Sequence, residues 1–345
     1  MNSPSRSCVV YLGSFPPPYG GATKKNDALF RELTKYGVVK KIDFSLIKRK
    51  SIKETARYLM ALISRDATFV VGVSGAKTRR LLTMFLSFVN PKAMERSLLI
   101  VMGGVASKQI AKDAAYRKAA SKYRKIFVET RGMLSELEAA GLDNVEIYPN
   151  ARERIAAPQR ESSIGGNQLR CVFFAQVSYE KGFDVALDAV EKLADEGLDV
   201  ICDFYGKIPE DQTAWVKEKI SAAKHCEYLG VFKGGDEEVI AMLAKYDLLL
   251  FPSRWSTEGV PGTLVEALIA GTPCIVPRKS YNADVITDGV SGKVVDDSDS
   301  LQFAAAIRDL LDSKQLERLS NGASEAAEEY FMDVCVPKVA HELFH

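Results

Sequence analysis

The sequence has no long hydrophobic run. No apolar stretch approaches the ~20 residues that span a bilayer, so a transmembrane helix is excluded. The first apolar run, Cys8 to Leu12, is too short for the core of a signal peptide. Histidine is scarce: His225, His341 and His345 are the only three in 345 residues, and all read as ordinary surface positions. The six cysteines (8, 171, 202, 226, 274 and 335) form no C-x-x-C pair, and four lie in apolar runs. A reduced, cytosolic chain that uses cysteine as a small core residue is expected. The G-x-G-x-x-G fingerprint is missing from the glycine-rich loop after the first apolar run, which weakens a dinucleotide-dependent oxidoreductase. Asp43, where a ribose-binding acid would sit, keeps that class open.

What is present is the composition of a globular protein, 47% hydrophobic and 26% charged. The net charge of +1 conceals an asymmetry. Residues 1–160 hold 29 basic and 13 acidic side chains, a surplus of +16, and the remainder holds 17 and 32, a deficit of −15. A basic half implies an anionic partner: nucleic acid, a phosphate-bearing ligand or a membrane surface. Aromatic residues are not interleaved with the charges and no nucleic-acid motif is present, so no nucleic-acid partner is expected.

The length suggests two domains. Short apolar runs alternate with helical patterns. Strands are predicted at Cys8–Leu12, Val38–Phe44, Thr68–Val73, Leu98–Met102, Lys125–Val128 and Val145–Tyr148. Helices between them are predicted at Lys24–Tyr36, Ile52–Ser64, Ala76–Phe88 and Ser107–Tyr123. The polar stretch Asn150–Gln168 reads as a linker. The alternation restarts with strands near Arg170–Ala175, Asp199–Phe204, Glu227–Leu229, Leu248–Phe251, Pro273–Val276 and Lys293–Val295. The expected class is α/β: two Rossmann-like domains facing a shared cleft, residues 1–155 and 170–330, joined by a linker at 156–169. The last segment, 331–345, is a helix able to pack back on the first domain.

Three segments carry chemistry. In Phe251 to Pro273 a strand enters a polar loop and then a helix, with Pro261 at its first position. The free amides of Gly262, Thr263 and Leu264 at that helix start suit a phosphate. Glu266 lies in an otherwise apolar helix, with small Gly262 and Ala270 four residues away, so a ligand could approach. A solvent-facing glutamate on an ordinary helix fits the same spacing. In Phe173 to Asp184 a strand turns into a helix at whose positive end Lys181 stands, unfavourable for a cation unless an anion joins it. A surface lysine in a turn is the plainer reading. The third segment, Gly13 to Thr23, holds Gly20 and Gly21, where backbone could approach a ligand closely.

Taken together these residues resemble the retaining nucleotide-sugar glycosyltransferases of the GT-B fold, glycosyltransferase family four (group 1). The resemblance rests on Gly20-Gly21, Tyr148-Pro149-Asn150, Glu180-Lys181-Gly182, Asp203-Phe204-Tyr205-Gly206 and Tyr228-Leu229-Gly230. It rests most on Glu258 and Glu266, with seven residues between them and Pro252-Ser253 and Gly271-Thr272-Pro273 at the flanks. It implies transfer of a hexosyl-type sugar, with retention, from a nucleotide-diphosphate sugar to a glycan acceptor. The process would be polysaccharide biosynthesis. The basic half, which in this family holds the acceptor, points to a lipid-pyrophosphate-linked acceptor at the cytoplasmic face of an anionic membrane, with a solvated face that keeps the protein soluble as the plainer reading. The resemblance implies that Glu266 holds the donor ribose and Glu258 the donor sugar. Lys181 and the amides of Gly262 and Thr263 would bind the diphosphate. Gly20, Gly21, Gln176, Gly206, Arg254, Gly259, Val260 and Pro261 would complete the donor site, with Glu258 and Lys181 as the catalytic pair. No cofactor and no metal is implied beyond the substrate, a UDP-sugar favoured over a GDP-sugar, and the Asp-x-Asp pattern that metal-dependent transferases use is expected to be absent. Tyr281 to Ile286 is similar to a segment of the polysaccharide-making subgroup.

Two departures stand out. Gln176 occupies the position where the family usually has a clamp arginine, which leaves Arg254 or Arg278 as substitutes. Ile100 to Gly104 lacks the histidine that many members carry there. A catalytically weak relative, acting as a nucleotide-binding regulatory or scaffold subunit, is the alternative. The clusters Lys48-Arg49-Lys50, Arg79-Arg80 and Arg117-Lys118 with Lys122, Arg124 and Lys125 are expected to form one positive face.

Overall fold

The computed structural model describes residues 8–17, 20–64, 66–156, 158 and 168–344. It divides into two compact units, residues 1–154 with 330–345, and residues 155–329. Most of the linker reading at 156–169 lies outside the described residues.

In the first unit six parallel strands stand in the order β2-β1-β3-β4-β5-β6. They are β1 (Cys8–Gly13), β2 (Val39–Asp43), β3 (Ala67–Gly72), β4 (Leu98–Ile100), β5 (Lys125–Val128) and β6 (Val145–Ile147). The second unit repeats the plan as β12-β11-β10-β7-β8-β9. Its strands are β7 (Leu169–Phe174), β8 (Val200–Tyr205), β9 (Cys226–Gly230), β10 (Leu248–Leu250), β11 (Cys274–Pro277) and β12 (Gly292–Val295). Helices cover both faces of a parallel sheet, so central strands read as unbroken apolar runs. Every residue of β3, β10 and β11 is buried. The outer strand β9 alternates instead. Strand order reverses between β7 and β10, where the loops leaving these strands diverge and open a crevice at their C-terminal ends.

The terminal helix Met332–Phe344 belongs to the first unit, where Cys335, Val336, Val339 and Leu343 pack with Val9, Leu29, Leu33 and Tyr148. Cys171, Cys202, Cys226, Cys274 and Cys335 are free and buried, and burial pushes their thiols up, Cys335 to about 12.

Three expectations need correction. The helix predicted over Ser107–Tyr123 is two, Ala106–Lys112 and Ala114–Ala120. Asp113 between them is extended, and its carboxylate accepts from the Tyr116 amide (3.0 Å) and from Arg80 Nε (2.6 Å). A residue that caps one helix cannot continue another. Asp43 is not a ribose acid waiting for a ligand: its Oδ1 accepts from the amide and hydroxyl of Ser45 and from the Phe15 amide. The basic clusters do not form one free positive face. Arg79 is 3% exposed, Arg80 pairs with Asp113, Arg124 pairs with Glu342 at 2.6 Å, and Lys125 stands 3.9 Å from Glu146.

A buried polar network organises the strand ends of the first unit. Asn26, fully buried, accepts from Tyr11 Oη (3.0 Å) and donates to the carbonyls of Ser14 and Gly72, each at 2.9 Å. A Cβ at Gly72 would stand 2.3 Å from the Asn26 oxygen, so glycine is required there. Nearby, Glu129 is 5% exposed, pairs with Lys25 and accepts from the Gly103 amide at 3.1 Å. Removing one partner of such a pair leaves an uncompensated buried charge, at a cost of ~3–5 kcal/mol. Lys25→Met should therefore lower the urea midpoint sharply. Adding Glu129→Gln to it should restore part of the loss, and equal losses in the single and double variants would count against the pair.

Candidate active site

The crevice of the second unit lies where the loops after β7 and β10 meet. After β7 the chain runs Ala175 to Lys181 and enters the helix Phe183–Asp195 through Gly182, at φ +75. A Cβ on Gly182 would fall 2.1 Å from the Pro252 carbonyl oxygen. Only glycine tolerates both the backbone angle and that approach. The approach delivers Lys181 to Glu258, Nζ standing 2.6 and 2.7 Å from the two carboxylate oxygens. Ser253 Oγ donates to the same carboxylate at 3.0 Å. Lys181 Nζ also lies 5.3 Å from the centre of the Trp255 ring, within cation–π range.

Arg254 has a different role from the one expected. Its guanidinium forms a two-pronged pair with Asp184 (2.7 and 2.8 Å), donates to the Tyr179 carbonyl (2.7 Å) and lies over the Tyr179 ring. The Asp184 carboxylate holds its pKa above the ordinary arginine value. In this arrangement Arg254 fastens the Lys181 turn and is not a free phosphate clamp. Arg278 is exposed and faces Asp296 at 3.9 Å. Gln176 is exposed just past β7. The Glu180 carbonyl accepts from the Arg254 amide at 2.8 Å, and its carboxylate accepts from Gln212 Nε2 at 3.0 Å, which lowers its pKa.

The helix Gly262–Ile269 opens one residue later than expected, with Pro261 as the extended residue before it (φ −62, ψ 129). Thr263 Oγ1 donates to the Phe174 carbonyl at 3.0 Å, pinning the helix start to the end of β7. The Leu264 amide, expected to be free, donates to the Pro261 carbonyl at 3.2 Å, so the candidate donors at this helix start are the Gly262 and Thr263 amides. Gly259 and Glu266 are partly buried and Val260 is buried. Glu266 stands one helical turn beyond Gly262.

Gly206 ends β8 at φ +150, and a Cβ there would meet the Ala175 oxygen at 1.7 Å. Tyr228 Oη donates to the Gly206 carbonyl at 2.9 Å. Sequence reasoning missed two neighbours. Ser253 fixes Glu258, and Phe174, Tyr205 and Phe232 form an edge-to-face trio with centroids 5.9–6.4 Å apart. The aromatic last residues of β7 and β8 were the available signal. Gly20 and Gly21 lie in the first unit. Gly20 precedes the helix Gly21–Leu33 and donates its amide to Thr23 Oγ1 at 2.9 Å. No atom lies within 4 Å of a Cβ built at Gly21, so packing does not demand glycine there.

An Asp-x-Asp spacing does occur, at Asp297-Ser298-Asp299, and both carboxylates are engaged. Asp299 caps the helix Ser300–Asp309, and Asp297 accepts from the Ser298 amide at 2.7 Å and faces Lys279. Among the described residues no group of three or more His, Cys, Asp and Glu side chains could hold a metal ion.

Comparison with known proteins places this geometry. The family described as glycosyl transferases group 1 matches residues 157–329, half of the chain. A Salmonella typhimurium protein named as the colanic acid biosynthesis glycosyltransferase WcaL is 27% identical over 259 residues, 68% of this chain and 63% of that one. The amylovoran biosynthesis glycosyltransferase AmsK of Erwinia amylovora is 29% identical over 147 residues, 40% of this chain and 35% of that one. The chain spans about half the length of the curated relatives it matches. Anabaena HepE, solved in complex with UDP, superposes with a TM-score of 0.69 over 97% of this chain and 99% of its own, at 15% identity. That likeness establishes the GT-B fold. With its matched second unit and its fold, the chain belongs to the group 1 glycosyl transferases.

Proposed function

We propose that the protein is a retaining glycosyltransferase of family four that moves a hexosyl-type sugar from a nucleotide-diphosphate sugar to a glycan acceptor. The observation that carries this is the Lys181–Glu258 pair beside the start of the helix Gly262–Ile269. A cation, a carboxylate and free helix amides converge on one crevice, as a sugar diphosphate requires. Lys181 and the Gly262 and Thr263 amides take the diphosphate, Glu258 the sugar and Glu266 the ribose hydroxyls. Gln176, Gly206, Gly259, Val260 and Pro261 shape the donor site. The aromatic trio beside Gly206 offers edges and faces for a planar base.

In the reaction the bond from the anomeric carbon to the diphosphate oxygen breaks. The acceptor oxygen bonds to that carbon from the same face, and the leaving phosphate oxygen takes the acceptor's proton. The protein's contribution is positioning and stabilisation of the charge that develops on the diphosphate, with no metal required. UDP-sugars are favoured over GDP-sugars, supported by UDP in HepE, although a mannosyltransferase relative is named as GDP-mannose-dependent. The names of WcaL and AmsK support polysaccharide biosynthesis, with a lipid-pyrophosphate-linked acceptor at the inner face of an anionic membrane. Gln176 favours a second reading, a weakly catalytic nucleotide-binding subunit. Donor hydrolysis or transfer by the purified protein decides between them.

Lys181→Ala should weaken UDP far more than UMP, because only UDP presents the outer phosphate. A hydrogen bond to a charged group is worth ~1.5–3 kcal/mol, so the UDP loss is about 10- to 150-fold. Calorimetry showing equal losses for both nucleotides removes Lys181 from the phosphates.

The two glutamates should separate in the same assay. Glu266→Ala should weaken UDP by a similar factor. Glu258→Gln should depress turnover while UDP affinity holds or rises, since Lys181 is released from its resting partner. Unchanged affinity and turnover in both variants would reject the assignment.

A further inference from the structure

The helices Ile52–Ile63 and Ala76–Val89 of the first unit each bury one face, yet their outer faces are apolar. On the first, Ile52 (86% exposed), Leu59, Met60 (61%) and Ile63 (72%) recur at helical spacing. On the second, Leu81, Phe85, Phe88 (88%) and Val89 do the same. Of twenty exposed large hydrophobic side chains among the described residues, eight lie on these two helices. The helices are neighbours. Their connections, β2 to β3 and β3 to β4, advance across the sheet in one direction, and right-handed crossovers then put both on one face. Asn90 ties their C-terminal ends, its Nδ2 donating to the carbonyls of Leu62 and Ser64 at 2.9 Å each. Ile63 and the Phe88-Val89 pair therefore end at the same place.

A contiguous exposed apolar patch marks an interaction site. Its surroundings say which kind. The stretch from Lys48 to Lys92 holds ten basic and two acidic residues. Glu54, one of the two acids, is buried and paired with Arg57 at 2.6 Å. Lys48, Arg49, Lys50, Lys53, Lys77 and Lys92 are exposed. Apolar side chains inside a basic border match an anionic lipid surface, which takes both. A second copy matches it poorly, because a two-fold contact brings the same patch against itself and sets basic border against basic border.

We propose that this two-helix face docks the protein on anionic membrane, its phenylalanines and aliphatic side chains entering the acyl boundary and its lysines meeting the headgroups. The inference rests on the reading above that the acceptor is lipid-linked, and it names the surface that brings the enzyme to it. The test is co-sedimentation of the full chain with vesicles of phosphatidylglycerol and phosphatidylcholine in equal parts. The unaltered protein should bind these vesicles, bind pure phosphatidylcholine far less, and retain part of its binding at high salt, because insertion is not screened. Met60→Glu with Phe88→Glu should reduce binding by at least about tenfold, from the lost apolar burial of two side chains, with UDP affinity unchanged. Failure of the unaltered protein to bind, or equal binding by the double variant, overturns the docking face. So does a dimer in sedimentation equilibrium without lipid that the double variant abolishes, since a second copy would then be the occupant. An absence of both UDP and GDP binding in the unaltered protein would instead reject the donor reading, whatever the vesicles show.

Discussion

Two backbone approaches at the switch point set the geometry on which the rest of the second unit depends. Gly182 lets the loop after β7 touch the Pro252 carbonyl, and Gly206 lets the end of β8 touch that of Ala175. Neither contact admits a Cβ, so both positions demand glycine for reasons of space as well as backbone angle. The loops drawn together are those of strands β7, β8 and β10. Residues 77 apart in sequence, Lys181 and Glu258, then become hydrogen-bonded neighbours. Arg254, held on Asp184 and the Tyr179 carbonyl, stiffens the same junction from its far side. A crevice built on strand ends and a helix start inherits that rigidity, which loops alone would not supply.

The resting pair has an electrostatic consequence. Lys181 and Glu258 are about equally shielded, with 16% and 15% of their side chains exposed, so each would be costly alone. Paired, they keep the crevice near neutral. Under the function proposed above, an incoming phosphate would take Lys181 and free Glu258 for a hydroxyl-bearing sugar, while Ser253, which donates to that carboxylate at 3.0 Å, would preserve its orientation. Holding a cation on a counter-ion beside its place of use reduces the side-chain entropy lost when ligand binds.

Much of this was legible in the sequence, and the limits have physical causes. All twelve strands were readable, because buried parallel strands are short runs of apolar residues between turn residues. Glycine at 182 and 206 marked the two close backbone approaches. The break at Asp113 was not readable, since an aspartate inside a helical pattern becomes a cap only once Arg80 and the Tyr116 amide are in reach. The partner of Arg254 was not readable for the same reason: a sequence supplies a guanidinium but does not say which carboxylate will hold it. Asp43 followed suit, its oxygen taken by Ser45 two residues on. The exposed apolar stripes at Ile52–Ile63 and Ala76–Val89 escaped notice because periodicity locates an apolar face without saying which side it shows to solvent.

The charge asymmetry also changes meaning once residues have places. Residues 161–345 carry a deficit of −15, yet the crevice proposed for an anionic diphosphate lies among them. Long-range attraction therefore cannot hold the donor there. At physiological ionic strength charges more than about 8 Å away are largely screened. The affinity must come from the groups in contact, Lys181 and the helix amides, whose short range makes them insensitive to the acidic surface beyond. The exposed basic residues near the two-helix face, Lys48, Arg49, Lys50, Lys53, Lys77 and Lys92, would work by the opposite rule. On the docking proposed above, each additional charge would add to the attraction of a flat anionic surface. A compact ligand is thus bound by a few pre-set donors, and an extended one by many weak attractions that add.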